Sequence, residues 1–315
     1  MNMGKTLSVR TDLAYDERNK VEDSLSEEIK IVNNIKVYKH TINEIYSQML
    51  NKKRGTYYTL DFECTDIKDT KTAINIEKVL SCELRDIIND LNLKNKKCLV
   101  VGLGNMSVTP DALGPCVIDN IIVTRHLFEL NSISEGFSNV SAISPGVMGT
   151  TGIETFDIIS SIVKKINCDY IIVVDALVTS SVSRVNKTIQ IADSGINPGS
   201  GVGNKRKELS YETLGIPVIA IGVPTVVDSV TITLNTLQHL FNHLEENDNI
   251  NLINDFSKLS DNERKNLIKK SLEQNDANMI VTPKDIDESI EDLANIIGNA
   301  INLTLHDGLF NGLSE

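Results

Sequence analysis

Apolar positions change their period several times along this chain. Residues 21–36 set Val21, Leu25, Ile29 and Ile31 among charges, a spacing that predicts an amphipathic helix. Ile35–Ile42 and Gly55–Phe62 are short strand-like runs. Residues 71–93 return to helical spacing, with Ile74, Ile76, Val79, Leu80, Leu84, Ile87 and Ile88 on one side.

From Lys97 the pattern becomes strand, loop, helix, repeated. Cys98–Leu103 is a continuous apolar run, as expected of a strand covered on both faces. Asp111–Leu130 reads as a helix and Val140–Ser144 as a strand. Thr150–Ile166 reads as a helix with Thr150 or Thr151 as its N-cap. Strands are expected at Tyr170–Val174, at Lys187–Ala192 and at Ile216–Val223, the last closed by Pro224, and a helix at Ser229–Leu244. Residues 246–277, rich in Asn, Asp, Lys and Glu with weak helical period, read as a surface insertion. A short strand at Met279–Val281 and a closing helix at Asp285–Leu305 follow. The alternation predicts an α/β fold, a three-layer α/β/α sandwich with a largely parallel central sheet. Residues 1–20 are polar and unpatterned, as in a loose tail.

Composition narrows the chemistry. The 315-residue chain is 41% apolar, ordinary for a packed globular protein, and contains no Trp. Its formal net charge of −12 argues against direct binding to nucleic acid or to a membrane surface, because both need a basic face. No segment approaches the ~20 apolar residues of a membrane span, and Met1–Arg10 lacks the apolar run of a signal peptide. Cys64, Cys82, Cys98, Cys116 and Cys168 are odd in number and contain no C-x-x-C pair. That pattern suits reduced, mostly buried thiols in a cytosol.

Two aspartates carry the sharpest chemical signal. Asp111 follows the strand at Cys98–Leu103, and Asp175 follows Tyr170–Val174. Parallel strands bring such positions together at the carboxyl edge of the sheet, where open α/β folds place their sites. Two carboxyl groups there cannot both ionise cheaply, so one keeps a proton. A base for water and an acid for a leaving nitrogen are the equipment for amide hydrolysis. Each also has a structural reading: Asp111 complements a helix dipole, and Asp175 is a polar strand end. Gly102-x-Gly104 resembles part of a dinucleotide fingerprint, but Ser107 holds the third glycine's place, so a tight backbone turn is the safer reading. Ser144–Gly152 is a glycine-rich loop, either a tight turn or a set of backbone donors for an oxyanion. Asn197–Lys207 is a second glycine-rich loop, ending in Lys205-Arg206-Lys207: a solvated basic patch, or a holder of an acidic substrate side chain. It is not a P-loop, and no G-x-S-x-G elbow occurs. Of the scattered histidines only His239 and His243 share a helical face, and no third metal ligand is identifiable beside them.

Val9-Arg10-Thr11-Asp12-Leu13-Ala14, Val108–Pro115, Ser144–Gly149, Asn197–Leu209 and Val218–Asp228 are five stretches that together resemble a known family, the germination proteases of spore-forming bacteria. The resemblance runs from about Ser8 to the helix ending near Leu244. It implies an atypical aspartic endopeptidase whose essential aspartates fall on Asp111 and Asp175; the first histidine after Asp175 is His239, beyond the last long core strand, so no metal and no other cofactor is expected. It further implies a homotetramer in the spore core that degrades small acid-soluble spore proteins on germination. The family is made as a zymogen that removes its own N-terminal segment, here residues 1–12, leaving 13–315 as a single peptidase domain. Its substrates are cut after Glu in a Thr-Glu-Ile/Phe-Ala context, which Thr11-Asp12-Leu13-Ala14 echoes with Asp for Glu; cleavage is therefore expected between Asp12 and Leu13. Gly146, Met148, Gly149, Lys205 and Arg206 are the expected substrate-binding residues. A more distant likeness to hydrogenase-maturation endopeptidases keeps two rivals open: a metal-dependent protease, and a catalytically silent binding protein of the same fold.

Overall fold

The computed structural model describes residues 11–14, 16, 27–50, 52–63, 65–198, 206–245, 259–275, 277 and 279–307. In chain order they form β1 (Glu27–Val32), β2 (Ile35–Ile42), α1 (Glu44–Leu50), β3 (Gly55–Asp61), α2 (Thr70–Asp90) and β4 (Cys98–Gly102). A 3₁₀ turn at Thr109–Asp111 precedes α3 (Leu113–Asp119), α4 (Arg125–Glu129), β5 (Val140–Ile143), α5 (Met148–Thr151) and α6 (Thr155–Ile166). Then come β6 (Tyr170–Thr179), β7 (Thr188–Ala192), α7 (Tyr211–Leu214), β8 (Val218–Asp228), α8 (Ser229–Glu245), α9 (Asp261–Gln274), β9 (Ile280–Val281) and α10 (Ile286–Leu305).

All nine strands join one sheet in the order β1-β2-β3-β7-β8-β6-β4-β5, with β9 added to β8. The block β5-β4-β6-β8 is parallel, as helical crossovers require. Beyond it β7, β3, β2 and β1 run antiparallel to the edge. Successive side chains alternate between the faces. Val100, Ile172 and Val174 pack with α2, α3 and α10, whereas Leu99, Val101, Ile171 and Val173 pack with Phe156, Ile159 and Val163 of α6. Helices thus cover both faces of the parallel block, the expected α/β/α arrangement. A smaller cluster joins Ala14 to Ile42, Leu50, Tyr57 and Ala192.

Several boundaries differ from those the sequence predicts. The described part of 21–36 is a strand, not a helix; Val21 and Leu25 lie outside the described residues. Ile29 and Ile31 alternate with Glu28 and Lys30, and Asn33 and Asn34 both take positive φ (51° and 67°). That geometry makes the two-residue hairpin turn that pairs β1 with β2. The helix expected over Asp111–Leu130 is broken into three pieces. Pro115 has no N–H to offer the Asp111 carbonyl, which instead accepts from Asn105 N–H at 3.0 Å. The helix expected from Thr150 starts at Thr155 with Glu154 as N-cap, because Gly152 at φ 68° ends α5. The Thr150 and Thr151 hydroxyls bond back to the Val147 carbonyl. Pro224 does not close its strand: β8 absorbs it at a bulge, where Leu177 faces Pro224 but Val178 faces Val226. Within the polar segment 246–277, α9 begins with a Ser260/Glu263 capping box, and its Ile268 is buried.

Candidate active site

Glycine lets the chain after β4 approach its neighbours closely. A Cβ on Gly102 would collide with the Gly114 backbone at the start of α3. Gly104, at φ 118°, lies so close to the Asp111 carbonyl that no side chain fits. The Gly-x-Gly pair is therefore a packing and turning device. Within the loop, Leu103 N–H donates to Val174 O of β6 at 2.8 Å, and Asp111 N–H donates to Val108 O at 2.8 Å. From β8, the Thr225 hydroxyl donates to Pro110 O at 2.7 Å. These bonds hold Asp111 against the end of β6.

Asp175 lies inside β6 rather than after it, in register with Gly222 of β8, and is only 6% exposed. Its Oδ1 accepts from Ala176 N–H at 3.0 Å. Burial drives its pKa well above the ordinary carboxylate range, and the charges of Asp111 and Asp12 push it further. Asp111 is also raised by burial, against the Asn105 backbone N–H near its carboxyl and the Arg206 charge, which lower it. The pair thus consists of a buried member pushed strongly toward its protonated form and a more accessible one that shares the cavity with a guanidinium.

Both aspartates line one cavity of about 380 Å³, together with Asp12, Gly146, Val178 and Arg206. Of the expected substrate-binding residues, Gly146 and Arg206 reach it. Met148 and Gly149 do not: α5 turns them outward, and both are exposed. The N–H groups of Thr150, Thr151 and Gly152 are spent on Val147 and Met148 carbonyls, which removes them as oxyanion donors. Lys205 lies outside the described residues, as do the His239 and His243 side chains. Lys207 stands 3.8 Å above the Phe156 ring, away from the cavity.

The N-terminal segment enters the same site. Asp12 N–H donates to Val178 O at 2.8 Å, and Val178 N–H donates back to the Asp12 carboxylate at 3.0 Å. Leu13 is fully buried. Two contributors were not legible beforehand, Val178 and Thr225. Only the position of Thr225 immediately after Pro224 hinted at a strand irregularity beside the site. Among the described residues no cluster of three or more His, Cys, Asp or Glu is placed to hold a metal ion. No helix among them is long and apolar enough to cross a membrane. Cys82, Cys98, Cys116 and Cys168 are free, Cys98 and Cys168 buried.

The model of a family described as germination protease matches residues 4–251 and 245–313. The chain is 45% identical over 347 aligned positions to a germination protease of Priestia megaterium, covering 95% of this chain and 94% of that one. A germination protease of Bacillus cereus is 42% identical over 344 positions with the same coverage. Among solved structures, a NiFe hydrogenase maturation protease, HycI, from Thermococcus kodakarensis aligns at a TM-score of 0.33 with 17% identity. It covers 69% of this chain and 97% of that one.

Proposed function

This chain belongs to the germination protease family, and on that premise we propose that it is an endopeptidase acting on small acid-soluble spore proteins during germination. It is made in the spore core as a zymogen, frees itself by cutting between Asp12 and Leu13, and works as a homotetramer without a metal and without binding nucleic acid or membrane.

The observation that supports the chemistry is the shared cavity, with one carboxyl buried and the other facing Arg206. Asp111 is the anionic base that takes a proton from water as the water oxygen attacks the scissile carbonyl carbon. Asp175 is the acid that gives its proton to the amide nitrogen as the C–N bond breaks. Arg206 supplies the positive charge that attracts an acidic substrate side chain. The Asp12 carboxylate on Val178 N–H marks where such a side chain can bond to backbone.

The test is cleavage of a Thr-Glu-Ile-Ala peptide by wild type, Asp111→Asn and Asp175→Asn. Each substitution keeps the shape and removes the shared proton, so turnover is expected to fall roughly 10²–10⁴-fold. Near-normal turnover by either folded variant overturns the assignment. Wild-type protein already processed to begin at Leu13 that captures the peptide but never cuts it identifies a binding protein instead.

A further inference from the structure

The residues on the two sides of the Asp12–Leu13 bond are held very differently. On the amino side, Asp12 is held by Val178, the Thr11 carbonyl accepts from Lys52 Nζ at 2.9 Å, and the Thr11 hydroxyl donates to the Asp16 carboxylate at 2.6 Å. On the carboxyl side the anchoring is deeper. The Leu13 side chain is 0% exposed, and Ala14 N–H donates to the buried Gln190 Oε1 at 2.7 Å. The Asp16 carboxylate accepts from Thr179 Oγ1 at 2.8 Å and from Ser180 N–H at 2.9 Å, and pairs with Arg184. Hydrolysis would therefore leave Leu13, Ala14 and Asp16 held by their own bonds and sever the covalent link to Asp12 and the residues before it.

Resting on the self-processing reading above, we propose that the α-ammonium created at Leu13 remains at the dyad cavity as a working part of the mature site. The bond change is simple: hydroxyl adds to the Asp12 carbonyl carbon and a proton to the Leu13 nitrogen, which is mostly cationic at neutral pH. Before cleavage that nitrogen donates to Thr11 Oγ1 at 3.2 Å, a partner that departs with the segment. An ammonium on a residue that is 0% exposed before cleavage gains from a carboxylate partner. Asp12, its covalent neighbour, lines the same cavity as Asp111 and Asp175, and those two acids are the partners assigned to the new amine. Departure of Asp12 removes one negative charge from that cavity and the new terminus adds one positive charge. Both changes favour the ionised form of the dyad's base. Arg206 is the other cation facing the cavity among the described residues, and Arg184 and Lys52 are held by Asp16 and Thr11. Processing would thus complete the site electrostatically as well as unblock it. The Leu13 amine acts as a positioning group through the dyad.

The full-length protein should be incubated until intact mass shows a chain beginning at Leu13, then treated near neutral pH with an amine-acylating reagent. Peptide mapping follows acylation of the Leu13 amine in the folded protein and in urea. The expected result is labelling at least about tenfold slower when folded, since pairing that raises the amine's pKa by one unit lowers its reactive fraction tenfold. In Asp16→Asn, which loosens the anchor, labelling should accelerate and kcat should fall while KM for the Thr-Glu-Ile-Ala peptide holds. A Leu13 amine that labels equally fast in both states overturns this proposal alone, whether or not Asp16→Asn folds. A mature terminus elsewhere overturns the processing site itself, and this proposal with it.

Discussion

Gly104 lies directly beneath Asp111: at φ 118° it leaves room for no Cβ between itself and the Asp111 carbonyl, which instead takes the Asn105 N–H. The position of the catalytic candidate is thus set by an atom that is missing from its neighbour.

Gly104→Ala should therefore shift the Asp111 loop. The left-handed φ and the overlap together cost about 2–6 kcal/mol, and peptide turnover should drop by more than stability does. Parallel measurement of kcat and thermal midpoint checks this; a stable variant with full turnover would show that the loop tolerates displacement.

Asp175 makes a signed prediction about pH. Its folded pKa is raised, so between the unfolded carboxylate value near 3.9 and the folded value the native state binds a proton that the unfolded chain has lost. Stability is fully present below the unfolded pKa and declines as pH rises through that window, by up to ~1.4 kcal/mol per pH unit for this one group. Asp175→Asn should flatten that slope and raise the thermal midpoint at neutral pH while abolishing cleavage. Denaturant melts of both proteins across pH 4–8 provide the comparison.

Asp16 should behave in the opposite sense. Although burial alone raises its pKa, bonds from Thr11, Ser180 and Thr179 and the Arg184 charge hold it below the ordinary value. Its contribution is present above the unfolded pKa and is lost as pH falls through the folded one. Asp16→Ala leaves Arg184 facing an empty, largely buried position and should cost about 3–5 kcal/mol. Urea unfolding at neutral pH measures it.

Processing at Asp12–Leu13 should accelerate on mild acidification, because proton uptake by Asp175, favoured by its burial and by the neighbouring acids, relieves repulsion in the cavity. Intact masses after incubation at acidic and neutral pH are the readout. A Leu13 terminus that also forms in Asp111→Asn would remove the dyad from that step.

Cleavage of the peptide should survive EDTA, and metal analysis of active protein should find no stoichiometric transition metal. Activity lost to chelation and restored by nickel or zinc would favour the metal-dependent rival.

Much of this protein was legible from local pattern alone. The continuous apolar runs at β4, β6 and β8 marked strands covered on both faces, and they alternate with helical spacing in a way only an α/β sheet satisfies. Asp111 and Asp175 stood out because polar groups at the ends of such runs need a reason. Periodicity failed where a distant partner decided the outcome. Ile29 and Ile31 fit a helix or an edge strand equally, and pairing with β2 chose the strand. Pro224 looked like a terminator until a bulge against β6 accommodated it.

The spacing of residues along the chain thus determined the sheet's parallel core, its two helical layers and the two acids at its edge, since each of these follows from how one segment buries its own apolar face. Only the tertiary structure decided that Asp12 meets Val178, 166 positions away, that Arg206 shares the cavity with both aspartates while Met148 and Gly149 turn outward, and that Asp175 is buried, which pushes its pKa up. Those outcomes depend on strand order and on which backbone groups are left unpaired at the sheet's edge, quantities that no local pattern of apolar and polar residues contains.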